Sequence, residues 1–468
     1  MNKLEKMEFN RVKAEKLGQI YSGEIEIKPL TIFCGPNNTG KTYLMYGLYG
    51  ILEHFPSGAP LRSVDPIASS LLTEGELDWD LEEWVDTHWK EIQKNIQEGL
   101  NYRLKSTFNS GDGLFKNSQI SLVIDKELVK QKVVAKEIDY RLAIGRDQLD
   151  ALRIVKPKYE KNAHLTLLAK KLPDLEKRII DFILNFILDQ DIQRETFLIP
   201  AERNGLHLFY KELSNRRTAL LHHAFKDDFD IGKLLKDVLS SKYAEPIADY
   251  IDWLNQLATT KKKRSEYHKF AEEIKGLVGG KYEVDQSGDI FFTPKKERNK
   301  DAVPKFEIHL GSSTIKSLFG LWFFLEHQAE SGDVVMIDEP ELNLHPDNQR
   351  KLMRTLTKLS NAGLTVIIST HSDYMIRELN SLIMLSRNPE RNTSIMKKYN
   401  YSQDSVIQSD SVGAYLFDNN TITTMEISEE EGVIATTFDL TINSLNTVND
   451  EIYYSNLEQS EQENSTRN

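Results

Sequence analysis

The apolar positions of this 468-residue chain change their spacing along its length, and those changes mark out its elements. Near the start, Phe9 to Val12 and then Glu24 to Phe33 alternate or run apolar before a glycine-rich turn, which reads as two strands. A helix is predicted from Thr42. Between Asp80 and Leu104, the residues Leu81, Trp84, Ile92, Ile96, Leu100 and Leu104 keep helical spacing with polar residues between them, so this helix is expected to pack on a sheet. The short runs Gln119 to Ile124, Ala151 to Val155 and Ala163 to Leu168, joined by charged turns, read as strands of an antiparallel β lobe.

Leu172 to Leu188 returns to helical spacing, and Thr196 to Ile199 is a short buried strand that runs into Pro200, Ala201, Glu202 and Arg203. A mostly helical lobe is predicted from Leu206 to Leu277. Tyr282 to Val284 and Ile290 to Thr293 then flank a turn containing Ser287, Gly288 and Asp289, the pattern of a hairpin. Beyond it, Asp333 to Ile337, Thr365 to Ser369 and Ser381 to Leu385 read as strands around the amphipathic helix Gln349 to Leu359. The expected organisation is α/β. One head is split between residues 1–60 and 281–425, with a β lobe and helical insertion over 61–195, a helical lobe over 196–280 and an acidic segment over 426–468. No segment sustains apolar heptads, so no long coiled coil is expected.

Composition narrows the picture. The formal net charge is −12, from 71 acidic and 59 basic residues, which disfavours broad attraction to nucleic acid. Two basic clusters, Lys261 to Arg264 and then Lys295, Lys296, Arg298 and Lys300, leave a local groove open as the alternative to solvated loop charge. Cys34 is the single cysteine, which excludes an internal disulfide framework and fits a reducing compartment. No apolar run approaches the roughly 20 residues of a spanning helix, and Met1 to Glu8 is charged, so neither membrane association nor secretion is expected. The cytoplasm is the expected location.

The chemistry is concentrated in three places. Gly35, Pro36, Asn37, Asn38, Thr39, Gly40, Lys41 and Thr42 place two glycines, a lysine and a hydroxyl residue at P-loop spacing, after the apolar run Leu30 to Phe33. Glycines at those positions let successive N–H groups converge on a phosphate at a helix start. Lys41 would neutralise phosphate charge, and Thr42 would offer its hydroxyl oxygen to Mg2+. Asp333 to Glu339 is an apolar strand ending in two carboxylates. Asp338 is expected to hold the metal through water and Glu339 to polarise the attacking water. A third strand, Thr365 to Ser369, ends in Thr370 and His371, whose imidazole is placed to sense a γ-phosphate. ATP and Mg2+ are the cofactors these residues imply.

The order GPNNTGKT, IDEPELNLHP, ISTHS resembles the P-loop ABC ATPase superfamily, most closely its RecF, structural-maintenance and overcoming-lysogenization-defect branches. The resemblance implies a P-loop ABC-ATPase head that closes head to head on a second copy as a dimer or higher homo-oligomer. It also implies that a segment before the acidic strand completes the partner's ATP site. Here that segment is Leu310 to Ser317, with Ser312 or Ser313 as the γ-phosphate contact, and it departs from the usual serine-glycine-glycine pattern. Asn343 to Pro346 resembles the dimer-contacting D-loop, and spacing assigns no Q-loop glutamine. Through FLIPAERNGL and LGSSTIKSL the chain is also similar to compact ATPase subunits of two-gene bacterial anti-phage systems of the Septu, PARIS and retron-associated types. In that comparison Arg203 either faces the nucleotide or anchors the strand end through a salt bridge.

Two functions follow from the resemblance. One is a slow ATPase switch whose assembled state controls an effector protein; the other is a DNA repair or maintenance ATPase that clamps DNA. The paired acids with a downstream histidine argue against a kinase, and Asn299, Lys300, Asp301 lies in a charged loop instead of forming a guanine-reading element. Overcoming-lysogenization-defect nucleases carry a Toprim domain after the head. The roughly eighty residues that follow Leu385, too few for a large separate domain, hold no Asp-x-Asp pair, so nucleic-acid cleavage by this chain is not expected.

Overall fold

The computed structural model describes residues 11–53, 61–109, 113, 115–144, 149–169, 172–187, 195–212, 243–296, 304–434 and 446–453. Its centre is a sheet of nine strands, β1 (Arg11–Leu17), β2 (Ile20–Glu26), β3 (Leu30–Cys34), β5 (Gln119–Leu122), β9 (Thr196–Ile199), β13 (Val334–Asp338), β14 (Thr365–Thr370), β15 (Val412–Asp418) and β16 (Thr421–Thr424). They are ordered β5-β1-β2-β16-β15-β3-β14-β13-β9. Five neighbours, β15, β3, β14, β13 and β9, run parallel. Every residue of β3, β13 and β14 is buried, as expected for parallel strands covered on both faces.

Alternate residues of these strands feed two separate cores. Phe33, Val334, Met336, Ile367 and Phe417 pack with the helices Lys41–Glu53, Leu81–Thr107 and Leu175–Ile187. Ile32, Val335, Ile337, Val366, Ile368 and Ala414 pack on the other face, with the helices Glu245–Gln256, Ser313–His327, Pro346–Asn361 and Asp373–Met384. The period of two along each strand thus divides the molecule into two layers.

The register levels the strand ends. Asp338 pairs with Ser369 and Thr370 with Cys34, so β3, β13 and β14 finish side by side at their carboxyl ends. A smaller antiparallel sheet, β4 (Glu76–Asp80), β8 (Asn162–Leu167), β7 (Leu149–Lys156) and β6 (Ile138–Ile144), forms the β lobe. The hairpin β10 (Gly280–Val284) and β11 (Ile290–Pro294) is joined by β12 (Phe306–Glu307).

Several expectations need correction. Glu24 to Phe33 is two strands, because Pro29 lies between β2 and β3 and lacks an N–H for a continuous ladder. Gln119–Leu122 pairs with β1 in the large sheet and is not a strand of the β lobe. Ser381 to Leu385 is not a strand: Leu382 and Ile383 continue the buried helical stripe Met375, Ile376, Leu379 of the helix Asp373–Met384. The strand beyond His371 is β15, which pairs with β3. Within the acidic segment, Ile427–Ser428 pairs with Gly432–Val433, and Asn380 binds both the N–H and the carbonyl of Val433. Phe9, the stretch 213–242 of the expected helical lobe, Arg298 to Asp301 and the last ten residues lie outside the described residues. The longest helix among the described residues is Leu81–Thr107, with 27 residues, and none is long and apolar enough to cross a membrane.

Candidate nucleotide site

The loop after β3 is built for close approach. Gly35 and Gly40 take φ of 136° and 101°, a region that side chains rarely adopt, and Asn38 takes 64°. A Cβ on Gly35 would lie 2.2 Å from the Phe417 carbonyl oxygen, and one on Gly40 would lie 2.6 Å from Ile20 Cγ1. The helix Lys41–Glu53 follows at once, so its unsatisfied N–H groups and positive dipole end face the loop. Asn38 Oδ1 accepts from Gln19 and Thr39 Oγ1 donates to the Pro36 carbonyl, which holds the loop's shape. Pro36, Asn37 and Asn38 are exposed.

Lys41 is buried, and its ammonium donates to the carbonyls of Gly35 at 3.1 Å and Pro36 at 2.6 Å, inside the curl of the loop. Burial lowers its pKa, while Asp338 and Glu339 pull it back up. Thr42 Oγ1 lies 3.0 Å from Asp338 Oδ2, joining the loop to the end of β13. The other oxygen of Asp338 accepts from Ser369 Oγ. Burial raises the pKa of Asp338 against the lowering effect of these two hydroxyl donors. A hydroxyl beside a buried carboxylate is a set of hard oxygen donors, which suits Mg2+.

The backbone turns sharply at Glu339, whose φ is 50°. Its N–H donates to the carbonyl and the hydroxyl of Ser369, at 3.2 and 3.1 Å. Its carboxylate lies 3.5 Å from His371 Nε2, and that imidazole holds the Glu339 pKa below the usual glutamate value. His371 is itself fixed from behind by Glu341. One carboxylate oxygen of Glu341 accepts from the backbone N–H of His371 at 2.7 Å and from Thr370 Oγ1 at 2.8 Å. Burial raises the pKa of Glu341, and its second oxygen is buried with no hydrogen-bond partner among the described residues. Ser372 caps the helix Asp373–Met384 through the Met375 N–H, which ends the histidine loop in a defined direction.

Lys41, Thr42, Asp338, Glu339 and His371 therefore share one site, on residues far apart in the chain. Ser312 and Ser313 stand apart from it, exposed at the start of the helix Ser313–His327, where Ser312 caps the helix and Thr314 Oγ1 donates to the Asn343 carbonyl. Glu341 and Ser369 belong to the site although no recognisable spacing in the sequence marks them. Nor does spacing mark Glu202, which follows β9 and accepts from Tyr46 at 3.4 Å. The segment FLIPAERNGL was the available signal for Glu202, since β9 pairs directly with β13.

Arg203 matches neither sequence alternative. Its guanidinium is buried and donates to four backbone carbonyls, those of Pro200, Ser317, Asp338 and Glu339, at 3.1, 3.1, 2.8 and 2.7 Å. It forms no salt bridge among the described residues, because its fork is filled by carbonyl oxygens at the end of β13, in the loop after β9 and in the helix Ser313–His327.

Residues 7–376 match the family model described as the AAA ATPase domain. Among curated proteins, 52 residues are 36% identical to the cell division ATP-binding protein FtsE of Bacillus subtilis (strain 168), covering 11% of this chain and 23% of that protein. A further match, 36% identical over 69 residues, is to the Old nuclease of Escherichia phage P2 and covers 15% of this chain and 12% of the nuclease. The chain thus spans less than a quarter of either relative. Among solved structures, the SMC head domain from Thermotoga maritima aligns over 90% of this chain and 98% of its own, with 11% identity and a TM-score of 0.32. The Smc head domain with an extended coiled coil bound to the C-terminal domain of ScpA, derived from Pyrococcus furiosus, aligns over 93% and 98%, with 11% identity and a TM-score of 0.33.

Proposed function

Since this chain belongs to the AAA ATPase domain family, we propose that it is a cytoplasmic ATP-hydrolysing switch that assembles through its heads and controls a partner effector. The observation that carries the reading is the convergence of Lys41, Thr42, Asp338, Glu339 and His371 at the carboxyl ends of three adjacent parallel strands. In this reading the backbone from Gly35 to Thr42 binds the triphosphate and Lys41 neutralises it. Thr42 and Asp338 would hold Mg2+, which when bound would supply positive charge beside the phosphates. Glu339 orients a water and accepts its proton as the water oxygen bonds to the γ-phosphorus and the bond to the β–γ bridging oxygen breaks. The His371 contact keeps the Glu339 carboxylate ionised below its ordinary range.

Assembly is supported by the exposed start of the helix Ser313–His327, where Ser312 and Ser313 would meet the nucleotide of a second copy. Thr314 joins this segment to the loop at Asn343, so a closing surface would include both. Hydrolysis would then end the associated state, with binding energy rather than turnover doing the signalling. Anti-phage defence is the proposed setting, through the likeness of FLIPAERNGL and LGSSTIKSL to compact defence ATPases.

A DNA-clamping maintenance ATPase is the second reading, favoured by the exposed run Lys261 to Arg264. Part of that charge is already engaged, since Lys262 donates to the carbonyls of Val284 and Asp285, and Arg264 lies 3.8 Å from Glu326. The deciding experiment measures the mass of the Glu339→Gln protein by light scattering, with and without Mg-ATP, and then with duplex DNA over a salt series. The switch reading expects ATP to at least double the mass and DNA to bind weakly. An unchanged mass rejects assembly through the heads, and tight, steeply salt-dependent DNA binding moves the assignment to the second reading.

A further inference from the structure

We infer that Arg203 is a positioning residue for hydrolysis, whose guanidinium locks the left-handed turn at Glu339 and ties it to the helix that begins at Ser313. The inference rests on the reading of Glu339 as the residue that polarises water. It starts from a cost: taking a guanidinium out of water is unfavourable unless its donors are filled. Arg203 is 1% exposed, and burial does lower its pKa. Its compensation is geometric, since a guanidinium is a planar fork of five N–H groups with no acceptor, and here four bonds reach carbonyls on three separate segments.

The assignment of those bonds is specific. Nε takes the Ser317 carbonyl from the helix Ser313–His327. One terminal nitrogen spans Pro200 and Asp338, and the other takes Glu339. The peptide plane on each side of Glu339 is then held, its N–H side by Ser369 and its carbonyl side by Arg203. A non-glycine residue at φ of 50° is strained and persists only where its surroundings hold it. That turn sets the carboxylate toward His371. Asp338, Glu341 and Glu339 balance the cation's charge over longer range, so the cation is electrically part of the site.

Lysine keeps the charge at this position but offers three tetrahedral donors on a single nitrogen, which cannot reproduce four bonds made by the three nitrogens of a planar fork. The test compares the full-length wild type, Arg203→Lys, Arg203→Gln, Glu339→Gln and the double variant of Arg203→Lys with Glu339→Gln. ATP affinity is measured at equilibrium, and single-turnover hydrolysis is expressed per bound ATP, so that misfolded molecules drop out. The expected result is a roughly 100-fold slower step in Arg203→Lys, the scale of an approximately 1 Å misplacement, with ATP affinity within about twofold of wild type. Added to Glu339→Gln, the lysine substitution should slow hydrolysis no further, because it acts through the side chain already removed. The inference is overturned by a wild-type rate in Arg203→Lys, by an additive loss in the double variant, or by absence of ATP binding in both Arg203 variants, which would make the guanidinium a pillar of the fold alone. A wild type that does not hydrolyse ATP, or a Glu339→Gln protein as fast as wild type, refutes the underlying reading instead.

Discussion

The head and the β lobe each bury a cation against backbone carbonyls. Lys156, at the end of β7, is fully buried and donates to Val134, Pro157 and Glu160 at 3.3, 3.0 and 2.9 Å. Two of those acceptors are within four residues of it, and the third lies in the last turn of the helix Lys126–Ala135. Arg203 gathers carbonyls from its own loop, from the end of β13 and from the helix Ser313–His327. The first closes a local corner; the second joins parts of the chain that chemistry must keep in register. Burial alone therefore does not separate a structural cation from one serving the site, and the separation of the segments it binds does.

The largest effect that would sharpen this contrast is Glu339→Gln, in the head. It should slow turnover by about 10²–10⁴-fold with ATP binding retained, checked by phosphate release and equilibrium binding on the same preparation. Next is Lys156→Met in the lobe. Loss of its donors should strand buried carbonyls and cost about 1–3 kcal/mol, lowering the urea midpoint while leaving ATP affinity and turnover per folded molecule unchanged. A turnover defect in that variant would break the distinction drawn between the two cations.

The smallest effect concerns pH. The contact with His371 depresses the pKa of Glu339 from its ordinary 4.5, so the carboxylate's stabilising contribution is complete above that value and fades as pH falls through the lower, folded-state pKa. His371→Ala should move the acid limb of single-turnover hydrolysis upward, by about one pH unit or less, as read from a pH–rate profile. An unmoved limb would mean that another group sets the ionisation of the base.

Much of this site was legible in the sequence because buried parallel strands leave continuous apolar runs, and each run here ends in a short chemical motif. Leu30–Cys34 leads to Lys41, Val334–Ile337 to Asp338 and Glu339, and Thr365–Ser369 to His371. Ser381 to Leu385 misled because a short apolar run fits a strand or one face of a helix equally well, and only tertiary packing chose the helix. The placement of Gln119–Leu122 depended on a partner over a hundred residues earlier, which local pattern does not encode. Arg203 and Glu341 were illegible in role for a related reason. Their partners are backbone carbonyls, an N–H and a hydroxyl, and backbone groups leave no mark in a sequence.

In the proposed function a triphosphate settles on the loop from Gly35 to Thr42. Calorimetric titration of the wild type and of Lys41→Ala with ATP under saturating Mg2+ tests it most directly. One ATP per wild-type chain is expected, with affinity weakened at least about 100-fold in the variant, equivalent to roughly 2.7 kcal/mol. No binding to the wild type, or equal binding to both proteins, would contradict the account.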